Sequence, residues 1–374
     1  MFLNQIKYEA NEFYKKINRI ITSKKTVGIY GNGIYASFLK ERLQKWSIQI
    51  AYYVVDDDYY VEGKKDLIKL SELHKYEDSI LIIGFETIVE NEEFLNKKIA
   101  GALLNAPGIE IIDFEHCYID WDFITYDYIL NHYKEYQKVY DMFEDDLSRR
   151  IMIEYLNTCI SGKSKDFCLL KTDHDHDYEY SLLYRDSVMN GTIIECGAYD
   201  GKTVVELDEF TSEYDNKILA LEPDDINYVR LCNNIENRNR IIPIKKGVSD
   251  KDGKLYFLSQ GNQGGTLIES KDVTEENSYT TIDVTSVDSL AKEYGCIDSV
   301  LMDVEGSELS VLTGAIETIN LYRPRFAVRV YHKREDLYTI PLFFDNLNID
   351  NKYKLYLRNN ANSRGILDLT LYAL

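Results

Sequence analysis

The chain has 374 residues, more than one hydrophobic core usually serves, so its length predicts two or three folding units. Hydrophobic residues make up 45% and charged residues 28%, with 5 Pro and 20 Gly, which excludes a disordered, collagen-like or low-complexity chain. The formal net charge of −20 would repel phosphate backbones and anionic lipids, so we expect neither nucleic acid nor a membrane as a partner.

The first 115 residues alternate strand and helix patterns. Residues 1–22 carry apolar side chains at helical spacing and predict an amino-terminal helix. The predicted elements that follow are strands Thr26–Tyr30, Ile48–Val55 and Ser79–Gly84, helical segments 34–46, 66–76 and 90–100, and the apolar run Ile109–Phe114. This alternation predicts a parallel sheet with crossover helices, and thus a small Rossmann-like α/β domain over residues 23–115.

A glycine turn follows the first predicted strand of this domain. Gly31 and Gly33 occupy the first two positions of a dinucleotide-binding fingerprint, Ala36 stands at the third, and Asp56 closes the next strand. A nucleotide could sit there. The segment resembles the Rossmann-like domains attached to glycan-modifying enzymes, which favours a degenerate scaffold or assembly domain that serves self-association or partner binding.

Residues 116–185 form a different kind of segment. Helical periodicity over 124–162, without a strand signal, predicts a helical connector, and a polar stretch follows over 161–190. Within that stretch, Asp173-His174-Asp175-His176-Asp177 offers two imidazoles and three carboxylates. A solvated acidic loop, or a lid over the neighbouring site, explains this composition more simply than a metal site, so we assign no residue to a metal.

A second, larger α/β unit is predicted over residues 186–374. Its predicted strands are Thr192–Cys196, Ile218–Leu221, Ile241–Lys245, Ser299–Asp303, Phe326–Tyr331, Tyr353–Leu357 and Leu367–Leu371. Helical patterns follow the first, second and fourth strands, and a hairpin-like insert, Lys254–Leu258 with Thr280–Val284, precedes the fourth.

The opening of this unit has the composition of a nucleoside site. An apolar strand ends at Glu195 and continues into a turn of small residues, Gly197 to Gly201, which a ligand can approach closely. The next strand ends at Glu222, whose carboxylate can accept both hydroxyl hydrogens of a ribose. No cluster of Lys or Arg flanks the turn, and its carboxylates would repel a pyrophosphate. S-adenosylmethionine, a cationic nucleoside without phosphate, suits this site.

Five motifs in register resemble the FkbM-type methyltransferases. They are Glu195-Cys196-Gly197-Ala198-Tyr199-Asp200-Gly201, Glu222-Pro223, Gly247-Val248-Ser249-Asp250, Asp303-Val304-Glu305-Gly306-Ser307-Glu308-Leu309 and Tyr331-His332-Lys333-Arg334-Glu335-Asp336-Leu337. The resemblance implies a class I methyltransferase fold, with a seven-stranded, mostly parallel sheet that ends in an antiparallel hairpin.

The resemblance also implies the donor-binding residues. They are Glu195, Gly197, Ala198, Tyr199, Asp200, Gly201, Glu222, Pro223, Gly247, Val248 and Asp303. The glycine turn would line the methionine and the ribose, Glu222 would hold the ribose, and Gly247 and Val248 would pack against the adenine. The family often has Ala in place of Gly247 and Lys in place of Met302, so any role of that ammonium group is absent here.

Transfer of a methyl group to a hydroxyl also requires a base. The candidate catalytic residues, all at predicted strand ends, are His332, Asp303 and Glu305. The ordinary pKa of histidine suits His332 to this role. The alternative reading is a histidine that packs on Tyr331 and Asp336, and Asp303 could instead ligate a divalent ion or contact the donor.

The sequence thus predicts an S-adenosylmethionine-dependent methyltransferase that acts on a hydroxyl of a carbohydrate or glycan-linked group. Two alternatives stay open: N-methylation of an amino acid or amino sugar, and a non-catalytic scaffold or nucleotide-sugar-binding protein. The six cysteines form no C-x-x-C pair and indicate reduced thiols. The chain opens with no signal sequence and holds no run of about 18 apolar residues, so we expect a cytoplasmic protein.

Overall fold

A computed structural model describes most of the chain. The described residues are 2–85, 92–114, 124–163, 167, 170, 181, 183, 190–258, 266–268, 279–360 and 369–374. Within them the strands form three sheets, of five, four and seven strands. The acidic run Asp173–Asp177, for which the sequence left a metal site or a lid open, lies outside the described residues.

The amino-terminal helix is shorter than the sequence predicted. A 3₁₀ turn spans Phe2–Gln5, and helix α1 spans Glu12–Ser23. Asn11 separates the two because its side-chain oxygen accepts hydrogen bonds from the backbone of Phe13 and Tyr14, which caps α1. Its amide nitrogen also donates to the backbone oxygens of Cys159 and Ile160, so the start of α1 is fixed to a distant helix.

The first sheet is parallel, as the sequence predicted. Its strands are β1 (Thr26–Tyr30), β2 (Tyr52–Val55), β3 (Leu67–Lys69), β4 (Ser79–Ile83) and β5 (Glu110–Ile112), in the order β3-β2-β1-β4-β5. Helices α2 (Ile34–Lys45) and α3 (Glu92–Asn105) accompany them. The prediction of a helix over 66–76 is wrong in its first part, because residues 67–69 pair with β2 as the edge strand. A 3₁₀ helix, Leu70–Tyr76, follows.

Three helices follow the first sheet and pack against the second unit. They are α4 (Tyr126–Asn131), α5 (Tyr133–Met142) and α6 (Asp146–Ser161). Tyr136, Ile151 and Leu156 are buried in one core with residues of the carboxyl-terminal sheet. Asp145, at the cap of α6, forms an ion pair of 2.6 Å with the buried guanidinium of Arg358. The predicted connector is therefore part of the larger core.

The carboxyl-terminal unit contains eleven described strands. They are β6 (Thr192–Cys196), β7 (Lys217–Leu221), β8 (Ile241–Ile244), β9 (Gly247–Val248), β10 (Gly253–Leu258), β11 (Thr266–Ile268), β12 (Thr280–Thr285), β13 (Ile297–Met302), β14 (Arg325–Arg329), β15 (Leu355–Asn359) and β16 (Leu369–Ala373). The seven-stranded sheet has the order β15-β16-β14-β13-β6-β7-β8. Only β16 runs antiparallel to its neighbours β14 and β15, which confirms the predicted class I methyltransferase architecture.

Six described helices accompany these strands. They are α7 (Lys202–Phe210), α8 (Asp225–Asn234), α9 (Val287–Tyr294), α10 (Glu308–Thr313), α11 (Ile316–Tyr322) and α12 (Asp336–Asn346). The sequence reading missed α9, which is short, and α12, which contains Pro341. Among all described helices, none has the length and apolar character needed to cross a membrane.

The predicted hairpin insert belongs to a separate small sheet. Strands β10 and β12 form the expected antiparallel pair, and β11 extends it at the β10 edge. On the other edge, β9 pairs in parallel with β12, so the sheet has four strands in the order β11-β10-β12-β9. The insert therefore places Gly247 and Val248 beside the main sheet rather than in it.

Candidate active site

The candidate site lies where the strand order of the main sheet reverses direction. Strand β6 pairs in parallel with β7 on one side and with β13 on the other. Ligands in open α/β sheets bind at the carboxyl ends of strands around such a point. The turn after β6, Glu222 after β7, Asp303 after β13 and His332 beyond β14 all follow these ends.

The turn after β6 is built on glycines that no larger residue could replace. Gly197 has a φ of +87°, and a Cβ atom there would lie 2.1 Å from the backbone oxygen of Asp303. Gly201 has a φ of +82°, and a Cβ atom would lie 2.6 Å from the side chain of Leu231. Tyr199, between them, also adopts a positive φ of 48°. The turn thus packs closely against the end of β13, and this contact brings the predicted donor turn next to Asp303.

Glu222 is fixed directly beneath this turn. Its Oε2 accepts a hydrogen bond of 2.9 Å from the backbone N–H of Tyr199, and its Oε1 accepts one of 2.9 Å from Asp224. The side chain is buried, and burial raises its pKa to about 7, although these two N–H groups act in the opposite direction. Because each carboxylate oxygen has two lone pairs, both can still accept a ligand hydroxyl.

The remaining acidic residues of the turn have partners within it. Glu195 is buried and accepts a hydrogen bond of 2.5 Å from the hydroxyl of Thr203. Asp200 pairs with the exposed ammonium of Lys202 at 2.9 Å. This single lysine is not a cluster, and one exposed ion pair does not create the positive field that a pyrophosphate needs. The turn keeps its acidic character.

The predicted adenine contacts lie on β9. Gly247 and Val248 are both buried, and Ser249 next to them hydrogen-bonds to Ser310 of α10 at 3.1 Å between hydroxyl oxygens. Pro223 follows Glu222 at the end of β7, and Ala198 is buried within the turn. Their contact with an adenine or a ribose stays a prediction.

Three candidate catalytic side chains meet in one cluster. The Nε2 atom of His332 lies 3.3 Å from Oδ1 of Asp303 and 3.7 Å from Oε2 of Glu305. Glu305 adopts a positive φ of 51°, a strained conformation for a residue other than glycine, and Gly306 follows with +93°. The backbone turn after β13 thus directs two carboxylates towards the imidazole that the structure brings from beyond β14.

Glu308 holds this imidazole, a role that the sequence analysis did not assign. Its Oε1 is 2.7 Å from Nδ1 of His332 and also accepts hydrogen bonds from the backbone N–H groups of Val304 and Gly306. The side chain of Glu308 is completely buried. Because the carboxylate accepts, Nδ1 donates and Nε2 faces Asp303 and Glu305. The sequence feature that could have indicated this role is the third carboxylate of the run Asp303-Val304-Glu305-Gly306-Ser307-Glu308.

Interactions within the cluster shift the pKa values of its members. Burial opposes a charge on His332, but the hydrogen bond to Glu308 and the nearby carboxylates outweigh it and raise its pKa to about 9. Burial, with the charges of Asp303 and Glu308, raises the pKa of Glu305 to about 7 against the opposing effect of His332. Near neutral pH the cluster therefore holds a proton that the imidazole and the carboxylates compete for.

Neighbouring charges complete the surroundings of the cluster. Nε of Arg329, at the end of β14, lies 3.8 Å from Oδ2 of Asp303. Asp336 is buried and accepts a hydrogen bond of 2.7 Å from the backbone of Lys333, while burial and the charge of Glu308 raise its pKa to about 7. The ring of His332 also packs on Tyr331, with centroids 4.3 Å apart. Packing and participation in the cluster thus occur together at His332.

The amino-terminal glycine turn has the shape of a nucleotide-binding turn, but its acidic residue is engaged. Gly31 has a φ of +120°, and a Cβ atom there would lie 2.7 Å from the backbone oxygen of Gly84. The carboxylate of Asp56 accepts a hydrogen bond of 2.6 Å from the hydroxyl of Tyr30 and pairs with Lys98. A ribose would have to share this carboxylate with both groups.

Comparison with known proteins agrees with this architecture. Residues 195–353 match the family model of the methyltransferase FkbM domain. The fold is similar to the crystal structure of methyltransferase FkbM from Methylobacillus flagellatus KT, with a TM-score of 0.71 over 98% of this chain and 94% of that one, at 19% sequence identity. No curated protein matches the chain.

A second solved structure is similar over a shorter stretch. Fibrillarin from Aeropyrum pernix, in complex with natively bound S-adenosyl-L-methionine, covers 53% of this chain and 73% of its own, at 11% identity and a TM-score of 0.30. This likeness is too weak to bear on function. The family match and the sheet order agree, and residues 195–353 form a methyltransferase FkbM domain.

Proposed function

We propose that the protein is an S-adenosylmethionine-dependent methyltransferase that transfers a methyl group to a hydroxyl of a carbohydrate or glycan-linked acceptor. The observation that carries this proposal is the carboxylate of Glu222, which two backbone N–H groups fix beneath the glycine turn. A buried carboxylate at the end of β7 is where a class I site would hold a ribose diol.

The fit of the donor rests on the shape and charge of the turn. Gly197 and Gly201 leave no room for a Cβ atom, so the backbone between them offers a surface that a ligand can approach closely. Glu195, Asp200 and Glu222 give this surface the negative charge that suits a sulfonium and an ammonium group. We assign the adenine to Gly247 and Val248, as the family resemblance implies.

The donor supplies a methyl group on a positively charged sulfur. During transfer, the oxygen of the acceptor hydroxyl forms a bond to the methyl carbon, the bond between carbon and sulfur breaks, and its electron pair neutralises the sulfur. The hydroxyl proton must leave, and we assign it to the cluster of Asp303, Glu305 and His332. Glu308 orients Nε2 of His332 as the buried carboxylate of a catalytic triad orients its imidazole.

The acceptor class rests on the resemblance and on the position of the cluster. Asp303 borders the donor turn, so an acceptor hydroxyl beside the cluster would also be beside the methyl group. From the sequence, acceptor pockets are expected in the loops and inserts 161–190, 261–280 and 332–345. The first two lie largely outside the described residues, and the third is mostly helix α12. A cytoplasmic location and a partner-binding role of the amino-terminal unit stay predictions.

Mass spectrometry of acceptors tests the proposal. Purified protein and donor should add about 14 Da to an oxygen of a sugar from a panel of mono- and oligosaccharides, because the step replaces a hydroxyl hydrogen with a methyl group. The Asp303→Asn variant should lose most of this product, while Glu317→Gln, at an exposed ion pair with Lys292, should keep it. Product on nitrogen would move the enzyme to amine acceptors, and donor binding without any product would favour a scaffold.

A further inference from the structure

The cluster around His332 brings three electron-pair donors together. Nδ1 of His332 donates to Glu308, so Nε2 faces Oδ1 of Asp303 at 3.3 Å and Oε2 of Glu305 at 3.7 Å. The side chain of His332 is only 9% exposed. Oδ1 of Asp303 is also buried, and when the imidazole is neutral no group among the described residues donates a hydrogen bond to it. Two carboxylates this close together need a positive charge beside them, and either the imidazolium proton or a metal cation in its place can supply it.

We propose that Asp303, Glu305 and His332 bind one divalent metal cation. Their ligand atoms all lie within 4.8 Å of one another. Neighbouring ligands of an octahedral ion with bonds of about 2.1 Å lie about 3.0 Å apart, so small side-chain rotations would complete the site. Carboxylates and an imidazole are ligands that Mn²⁺ accepts, and they leave the remaining positions for water or substrate oxygens.

The hydrogen bond to Glu308 is a second feature typical of metal-binding histidines. A histidine that ligates a metal usually donates its other ring N–H to a carboxylate, which fixes the tautomer and the ring orientation. Glu308 does this from a completely buried position. When ionised, Asp303, Glu305 and Glu308 carry three negative charges, and the guanidinium of Arg329 and the imidazolium form of His332 oppose them with two positive charges. A divalent cation that displaces the imidazolium proton would balance all three carboxylates.

The position of the cluster suggests what the cation would do. The backbone of Asp303 contacts Gly197 of the donor turn, so a cation at this carboxylate would lie beside the donor site. A metal ion lowers the pKa of a bound hydroxyl and orients it. This role rests on the proposed function, and it would make His332 a ligand rather than the proton acceptor. The binding of the cation itself does not depend on methyl transfer.

Titration with Mn²⁺ tests the inference. Full-length protein is treated with a chelator, dialysed into buffer with about 0.15 M salt to screen weak surface binding, and titrated with MnCl₂ while electron paramagnetic resonance measures free Mn²⁺. We expect one tightly bound Mn²⁺ per chain. Asp303→Asn, Glu305→Gln and His332→Gln should each weaken binding by about tenfold or more, and the surface variant Glu317→Gln should not.

Two results would overturn the inference. One is the absence of bound Mn²⁺ at about 1 mM free metal, since that affinity marks the weakest ordinary sites. The other is equal binding by the wild type and by all folded cluster variants, with folding checked by circular dichroism. Titration of S-adenosylmethionine into the same samples separates the two proposals. Donor binding without Mn²⁺ binding rejects the metal alone, and Mn²⁺ binding without donor binding rejects the methyl donor alone.

Discussion

The affinity for the methyl donor should depend on pH through Glu222. Burial raises the pKa of this carboxyl to about 7, and a ribose diol is best held by the ionised form, which accepts both hydroxyl hydrogens. At pH 6 about nine tenths of the carboxyl groups would be protonated, and at pH 8 about one tenth. Donor affinity should therefore rise about tenfold between these pH values, or about 1.4 kcal/mol.

The Glu222→Gln variant removes the titrating group at nearly constant shape. An amide offers one oxygen, whereas the backbone N–H groups of Tyr199 and Asp224 each need an acceptor. Once the amide oxygen serves one of these groups and its NH₂ replaces the second acceptor, a ribose hydroxyl would lose a hydrogen bond to a charged acceptor, worth about 1.5–3 kcal/mol. We expect affinity at pH 8 to fall about 10- to 150-fold, and the pH dependence to vanish.

The same pKa shift predicts the effect of pH on stability. A carboxyl whose pKa is higher in the folded state than its ordinary value of 4.5 stabilises the fold fully below that value. This contribution is lost as the pH rises towards about 7. In Glu222→Gln, the decrease in unfolding free energy between pH 4.5 and pH 7 should be smaller than in the wild type.

Calorimetric titration of S-adenosylmethionine at pH 6, 7 and 8 measures the predicted change in affinity. Glu236→Gln, an exposed residue shortly after α8, provides the matched control and should keep the slope of the wild type. Circular dichroism at each pH verifies that the protein stays folded. A flat affinity in the wild type, or an undiminished slope in Glu222→Gln, would refute the assignment of Glu222.

Three further substitutions test other parts of the structure. Gly197→Ala should lower the free energy of unfolding by more than about 2 kcal/mol in urea titrations, because its Cβ atom would meet a backbone oxygen at 2.1 Å. Gly253→Ala, with open space around it, should not. Asp145→Asn should cost about 1–3 kcal/mol by thermal unfolding, because Arg358 is buried while Asp145 is partly exposed. Burial opposes the charge of Asp145, but its hydrogen bonds to Arg358 and Ser148 lower the pKa, so this stabilisation should disappear below about pH 4. His332→Gln should reduce turnover by about 10²–10⁴-fold while the donor affinity measured by calorimetry stays nearly unchanged.

The strands of the main sheet could be predicted from sequence because they are buried on both faces. Every residue of Thr192–Cys196 is buried, and such continuous apolar runs bounded by glycines are a strong strand signal. The edge strand of the first sheet was harder to predict. The short strand Leu67–Lys69 pairs on one side only, so its sequence lacks the continuous apolar run of a central strand.

Helix α12 shows a second reason for failure. Pro341 lies inside it and normally argues against a helix, but Leu337, Ile340 and Phe344 are buried in the main core. The apolar contacts of these side chains outweigh the local cost of the proline. Because local propensity takes no account of contacts with distant strands, sequence analysis did not predict a helix at these residues.

The positions of the proposed donor-binding residues in the fold were easier to predict than the contacts around His332. Glycine turns and the acidic residues at strand ends are adjacent in sequence to the strands that position them. The hydrogen bond between Glu308 and His332 joins residues 24 positions apart on different elements. Sequence reasoning gave Glu308 a place in a motif but no partner, because only the packing of α10 beside the end of β14 brings the two together.

Binding of S-adenosylmethionine to the purified full-length chain tests the central claim most directly. We expect calorimetry at pH 8 to show one donor bound per chain with release of heat, and Gly197→Ala to lose this binding because it disturbs the turn at Asp303. The Gly253→Ala variant should bind as the wild type does. If folded wild-type protein binds no donor, the carboxyl-terminal unit keeps only the fold of a methyltransferase, and the proposed function is contradicted.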